Sequence, residues 1–314
     1  MTITLLASFL CCVGVSVRQT LQDGRVVSVA RYVLASCCCV LAAGCSVSPP
    51  RSQFPNVRAA LDRMRATVAC GVGVMATATI DRREGGSHRE VVLIVSHPTQ
   101  LRMDLLNSSG NSISTLTSDG TEFQLLDGLS GNFVYGNAKP CNLARLIGVA
   151  VPDHLFMDTL RGQTPVLAHK DEDANIEWDR TGFYVLTLRG TRDSAEEIHL
   201  VPYADDWNKP WTGQRLRVLE VIVRQQGFAI YHLVMSEHAR RATAGPFVDP
   251  VNGVPIRPSG PQCDAELPTR IRIELPRDEL QLHYHNVEWN PPLQPGLFRQ
   301  VAPSTISMTP VDCQ

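Results

Sequence analysis

The sequence predicts a mainly β fold with a few helices (α+β), built on a long antiparallel sheet. Three observations carry this expectation. Short segments rich in Val, Ile, Leu and Thr recur along most of the chain. Turn signals separate them at close intervals: Glu84-Gly85-Gly86, His97-Pro98, Asn107–Gly110 and Asp119-Gly120. Helical spacing is confined to a front segment and two short central ones. An antiparallel sheet of this length must curl, close or split into layers. Helices apolar on one side would then plug its concave face and leave a cavity suited to an apolar ligand.

The N-terminal region reads as a leader. Met1 to Val17 are apolar, but no basic residue precedes them and the polar stretch 18–25 interrupts the run. Residues 1–28 therefore read as a start assigned too early, with the true start near Val27 or Val29, or as an unusually long leader. Arg31 then precedes an apolar run of about a dozen residues, shorter than the roughly 20 that span a bilayer. The run ends in Ala42-Ala43-Gly44-Cys45, with Pro49 and Pro50 close behind. This order fits a secretory signal, residues 1–44, cut at a lipoprotein site. Small side chains at Ala43 and Gly44 admit a protease, and the Cys45 thiol is the nucleophile for lipidation. The stretch resembles a bacterial lipobox, with Ala42 where Leu is usual. Leu34-Ala35-Ser36-Cys37 fits by residue type, but leaves almost no apolar run after Arg31. A retained anchor or a buried Cys-rich helix is the alternative. Ser46, rather than Asp, resembles lipoproteins sent to the outer membrane.

Removing residues 1–44 from 314 leaves 270, enough for one large β domain or two small ones. Of ten cysteines, Cys45, Cys70, Cys141, Cys263 and Cys313 remain. With Cys45 acylated, the other four are an even number in an oxidising compartment, which favours two disulfides. Three pairings are open. The expected one is Cys70–Cys141 with Cys263–Cys313, each tying one half of the fold. No CxxC spacing points to zinc, and no metal or cofactor is expected. A net charge of −2 without a Lys/Arg block disfavours nucleic acid.

Residues 45–56 read as a lipidated tether and 57–314 as one domain. Val57–Thr67 is expected to be an amphipathic helix on Val57, Leu61 and Met64. Strands are expected at Val68–Ile80, His88–His97, Leu101–Leu106, Ser112–Thr117 and Thr121–Leu126, an antiparallel meander. Helices follow at Asn142–Ile147 and at Asp153–Leu160, the latter behind Pro152. Strands resume at Ala174–Trp178, Phe183–Arg189, Glu196–Val201, Arg215–Arg224, Ala229–Glu237, Arg270–Glu274 and Gln281–Glu288. Ala242–Pro268, rich in Pro and Gly, reads as a long loop or insertion.

Met103, Leu105, Phe123, Leu125, Leu146, Phe156 and Leu160 are the candidate cavity lining, with a dry packed core as the competing account of each. His283 and His285 share a strand face but lack an evident third ligand and read as surface or pairing histidines. Asp171-Glu172-Asp173 and Asp205-Asp206 read as solvated acidic turns. Trp207 and Trp211 form either a contact rim or loop packing. No GxSxG, HExxH or P-loop occurs, so no catalytic residue is assigned and no enzyme is expected.

An ordered set of motifs adds a family likeness. Leu101-Arg102-Met103-Asp104-Leu105-Leu106-Asn107-Ser108-Ser109-Gly110 precedes Ser118-Asp119-Gly120-Thr121-Glu122-Phe123. Val134-Tyr135-Gly136, Leu146-Ile147-Gly148 and Leu160-Arg161-Gly162-Gln163-Thr164-Pro165 come next. Leu267-Pro268-Thr269-Arg270-Ile271-Arg272-Ile273, Val287-Glu288-Trp289-Asn290 and Phe298 close the set. From about Val57 to Val301, outside the 242–260 insertion, this order resembles outer-membrane lipoproteins of the LolA/LolB-like superfamily, and especially its uncharacterised lipoprotein branch. The resemblance implies a strongly curved antiparallel half-barrel whose concave apolar face is covered by short helices. It also implies acyl chains of a lipid or lipoprotein as cargo. LolB-type receptors expose a hydrophobic residue just before the glycine matching Gly110; here Ser109 stands there, in a polar stretch that gains little from entering a bilayer.

The expected function is an outer-membrane-anchored, periplasm-facing lipoprotein that binds acyl chains for transport or localisation. The rival readings are a docking module for an envelope protein partner, through Ala242–Pro268 and the tryptophan loop, and a lipid-modifying enzyme.

Overall fold

The computed structural model describes residues 46–83, 87–139, 141–142, 145, 153–250 and 253–312. Cys45, Leu146 and Cys313, with the leader and most of the first central helix, lie outside the described residues.

Helix α1 spans Val57–Val68 and α2 spans Asp153–Leu160. The first starts where the Asn56 side chain accepts a hydrogen bond from the Ala59 N–H at 2.9 Å, filling an otherwise orphan donor. Val57, Ala60, Leu61, Met64 and Val68 recur at helical spacing and are all buried. The helix is pinned to the sheet at its far end. Thr67 Oγ1 donates to Arg63 O and accepts from Leu216 N.

Sixteen strands are present among the described residues: β1 (Gly73–Arg82), β2 (Ser87–Ser96), β3 (Gln100–Leu106), β4 (Ser112–Ser118), β5 (Glu122–Asp127), β6 (Asn132–Asn137), β7 (Ala174–Asp179), β8 (Phe183–Arg189), β9 (Ser194–Pro202), β10 (Leu216–Gln225), β11 (Phe228–Arg240), β12 (Phe247–Val248), β13 (Pro255–Ile256), β14 (Glu266–Glu274), β15 (Glu279–Trp289) and β16 (Met308–Pro310). Fourteen form one open sheet in the order β16-β6-β5-β4-β3-β2-β1-β15-β14-β11-β10-β9-β8-β7, and β12–β13 make a separate hairpin.

Two meanders, β1–β6 and β7–β11, thus occupy the two halves. The late β14–β15 hairpin fills the gap, pairing β15 with β1 and β14 with β11. One face is apolar across both halves. Ala76, Leu93, Met103, Leu116 and Leu125 oppose one another from β1 to β5. Leu186, Ile198, Val221, Leu233, Ile273 and Leu280 do so from β8 to β15. All are buried, in one cluster with the inner residues of both helices.

Several expectations need correction. The sheet is mixed, because β16 pairs with β6 in parallel, and β6 and β16 were not foreseen as strands. The strand expected from Val68 begins at Gly73, since Val68 still belongs to α1. The expected loop Ala242–Pro268 contains the β12–β13 hairpin and the start of β14.

The expected disulfide pairing is also overturned. Cys70 bonds to Cys263, with Cα atoms 5.1 Å apart across 193 residues, and Cys141 is in a disulfide as well. The topology explains the choice: β15 against β1 brings the insertion's end onto the turn after α1. Asn290 locks the same spot. Its Oδ1 accepts from Val72 N and Gly73 N, and its Nδ2 donates to Cys70 O and Pro261 O. Beside it the Trp289 indole lies so close to Gly71 that a Cβ there would sit 2.2 Å from the ring.

Candidate ligand cavity

Between α1, the end of α2 and strand β10 the apolar face is incompletely filled. The space left is about 340 Å³, lined by Met64, Arg65 and Val68 of α1, His97, Asp158, residues 161–166, and Leu216 and Val218 of β10. Met64 and Val68 reach it as the last turns of the buried α1 stripe. Leu216 and Val218 reach it because alternate β10 residues face the core.

The Leu160-Arg161-Gly162-Gln163-Thr164-Pro165 motif builds the third wall. Gly162 N donates to Thr159 O and Gln163 N to Asp158 O, the paired bonds of a Schellman C-cap. That cap requires the left-handed φ of 68° at Gly162, where a Cβ would meet Pro268 at 2.9 Å. Leu160 O accepts from the buried Tyr284 hydroxyl at 3.0 Å, so the helix end is fixed to β15. Arg161 is thereby turned inward with a side chain only 2% exposed. Its Nη2 donates to Asp158 Oδ1 at 2.6 Å, and its Nε is buried without a partner.

Of the seven expected lining residues, the six that the structure describes do not line this cavity. Met103 and Phe123 lie in the packed core on β3 and β5, as do Phe156 and Leu160 on α2. Leu105 and Leu125 line a second, more open cleft of about 760 Å³ at the opposite end of β2, with Ile113, Asp127, Leu129, Arg89 and Arg145. Leu129 on the β5–β6 turn is 74% exposed. In the neighbouring 107–111 turn, Asn107 Oδ1 accepts from Ser109 N and Asn111 N, and its tip is polar and exposed. Leu146 lies outside the described residues.

In the sequence Arg161 stands out only as part of the Leu160–Pro165 motif. A helix ending in Leu-Arg-Gly is the signal that would have found it, because a C′ glycine fixes where the preceding side chain points.

A buried carboxyl stands further along the same face. Glu196 of β9 is 1% exposed and accepts from Leu167 N at 2.6 Å. Burial pushes its pKa up to about 7, against a partial lowering by that hydrogen bond.

The other singled-out groups have structural partners. His283 and His285 rings lie 5.0 Å apart, and His285 Nε2 meets Thr79 Oγ1. On the outer face His199 is held between Glu197 and Glu220, and His232 between Glu220 and Glu274. Each ring nitrogen of these two is thus occupied. Among the described residues no group of three or more His, Cys, Asp or Glu is arranged to hold a metal ion.

Asp171-Glu172-Asp173 is an exposed turn, but Asp206 departs from the solvated reading. It is fully buried and accepts from Arg215 and Lys209. Burial alone would raise its pKa; those hydrogen bonds outweigh it and hold the carboxyl well below the usual range. Trp207 packs edge-on to Trp178, and Trp211 packs on Phe54. With the Trp178 indole donating to Val47 O, these rings fasten residues 47–54 to the β7–β8 end of the sheet.

No protein-family model matches the chain, and no curated protein sequence matches it. By structure it is similar, at low identity, to DUF1329 and LolA superfamily proteins. A DUF1329 family protein from Desulfovibrio piger shares 12% identity at a TM-score of 0.44, over 80% of this chain and 98% of that one. A LolA superfamily protein from Nitrosomonas europaea shares 11% at 0.42, over 77% and 97%. A domain named for outer-membrane lipoprotein sorting, from Vibrio parahaemolyticus, shares 9% at 0.40, over 77% and 95%. At these scores the overlaps are partial, and the role of the cavity must come from its own residues.

Proposed function

We propose that the protein is a periplasm-facing lipoprotein, anchored in the outer membrane through Cys45, that carries acyl chains of a lipid or lipoprotein. The unfilled space between the helices and the sheet's apolar face carries this reading. Met64, Val68, Pro165, Val166, Leu216 and Val218 would surround a chain with hydrocarbon. Each methylene moved there from water gains about 0.8 kcal/mol, so even part of a chain supplies useful affinity.

The sheet in this reading is a curved half-barrel whose concave face the helices cover. A continuous apolar face sharing one core with both helices supports that shape. The Cys70–Cys263 disulfide supports an oxidising compartment. The mechanism is non-covalent transfer: a chain leaves a donor, enters the cavity and passes to an acceptor or the membrane. The protein acts as a carrier rather than a catalyst.

The second reading is a docking module for an envelope protein. The β12–β13 hairpin favours it, because Phe247, Val248 and Val254 are exposed there. Native purification of the full chain, followed by mass spectrometry of non-covalently bound lipid, separates the two. A stoichiometric acylated molecule supports the carrier. A lipid-free protein that also ignores added fluorescent fatty acids refutes it and favours the docking module.

A further inference from the structure

The cavity wall is amphipathic, and its polar part is unbalanced. Two cations, Arg65 and Arg161, line it against one carboxylate, Asp158, with His97 as the remaining titratable group. Arg65 sits at the exposed rim, 3.9 Å from Asp62. Arg161 lies inside. Asp158 takes one of its nitrogens at 2.6 Å and so fixes the guanidinium's orientation. The buried Nε–H is left without an acceptor. A buried donor in that condition is destabilising, and a guanidinium edge is shaped to meet a carboxylate or phosphate oxygen. Met64, Val68, Pro165, Val166, Leu216 and Val218 supply the hydrocarbon of the lining.

We propose that this cavity binds a single-chain amphiphile with an anionic head group, a carboxylate or a phosphate monoester. A head-group oxygen pairs with the Arg161 guanidinium once entry of the chain uncovers its Nε–H, and the chain lies against Met64, Val68, Leu216 and Val218. The inference rests on the acyl-binding reading and narrows it. About 340 Å³ is at the small end of ligand pockets, room for one chain rather than the several of a mature lipoprotein terminus. The charge excludes a cationic head and disfavours a neutral one.

The test is calorimetric titration of the full chain with decanoate, decyl phosphate, decanol, decyltrimethylammonium and inorganic phosphate. Decanoate or decyl phosphate is expected to bind at one equivalent, about 10- to 100-fold tighter than decanol, the range of a charge-assisted hydrogen bond. The tighter of the two names the head group. Arg161→Met should lose that margin and still bind decanol. Arg161→Lys keeps a cation beside Asp158 but lacks the Nε donor, and should lose most of the margin. If neither variant folds, the head-group series on the unaltered protein decides alone.

Equal binding of decanoate and decanol, or tighter binding of the cationic amphiphile, overturns the head-group assignment and leaves acyl binding standing. Inorganic phosphate bound as tightly as decyl phosphate overturns the amphiphile. Binding of none of the probes overturns both this inference and the acyl-binding reading.

Discussion

Glu196→Gln should remove a pH dependence of stability that runs opposite to ordinary acid denaturation. In the fold this carboxyl is buried against hydrocarbon with the Leu167 N–H as its hydrogen-bond donor. Burial raises its pKa from 4.5 to about 7. Between those values the folded chain holds a proton that the unfolded chain has released. Stability from this group is therefore full below about pH 4.5 and lost as pH rises through 7. The displacement corresponds to about 3 kcal/mol.

His238 works the other way. Burial, the largest cause, and the nearby Arg217 depress its pKa from 6.5 to about 4. Its contribution is present above pH 6.5 and lost as pH falls to 4, again by about 3 kcal/mol. The two nearly cancel between pH 4.5 and 6.5, so the unaltered protein shows little slope from this pair. The Gln variant keeps an acceptor for Leu167 N and unmasks the histidine. Urea unfolding of both proteins, followed by tryptophan fluorescence at pH 4.5, 5.5, 6.5 and 7.5, isolates the Glu196 term as a difference. That difference, unaltered minus variant, should fall by about 3 kcal/mol across the series. Parallel curves would refute the reasoning, because they would mean a carboxyl that ionises as readily in the fold as in the open chain.

Three further outcomes are expected. Cys70→Ser with Cys263→Ser opens a loop of 193 residues; chain entropy sets the loss at about 5 kcal/mol, and an unchanged urea midpoint would contradict it. Asn290→Ala strips partners from Val72 N, Gly73 N, Cys70 O and Pro261 O. At about 1–3 kcal/mol per buried orphan, it should cost about 4 kcal/mol or more, and a loss below about 1 kcal/mol would show that water replaces the amide. Gly71→Ala drives a methyl into the Trp289 ring; the expected loss of about 1–3 kcal/mol comes with a changed near-ultraviolet signal, and an unmoved indole spectrum would argue against the close approach.

Local pattern sufficed for most of the sheet. Phe183–Arg189 has the expected bounds, because Tyr184, Leu186 and Leu188 alternate without interruption and a glycine stands beyond each end. Val57–Thr67 fell one residue short of α1 because Thr67 and Val68 carry the stripe to its end. Most of the misses are long-range. Strand β6 forms a local hairpin with β5 but is short and broken by Gly136, whereas β16 has no alternation of its own and exists through its pairing with the distant β6. The disulfide could not be read from spacing, because Cys70 and Cys263 meet only once β14–β15 has entered between the two meanders. Arg161 belongs to the Leu160–Pro165 motif, yet its lack of an Nε partner is a property of packing. The cavity face was legible as an apolar sheet face, but where it stays unfilled depends on how the helices fit it.

The open sheet has a further consequence. Any free strand edge invites another strand to add to it, in the same chain or in a second copy. Here β16 covers one side for only three residues and stops at Pro310, which has no N–H to offer. The other side ends on the six-residue β7, with Asn175 and Glu177 exposed. Both borders are therefore poor templates for growth from copy to copy. A protease cut near the exposed Val301 followed by loss of β16 would change that, because it bares Phe133, Val134 and Tyr135 of β6. The trimmed protein should be the form that self-associates, although its cavity lies far along the sheet from the cut.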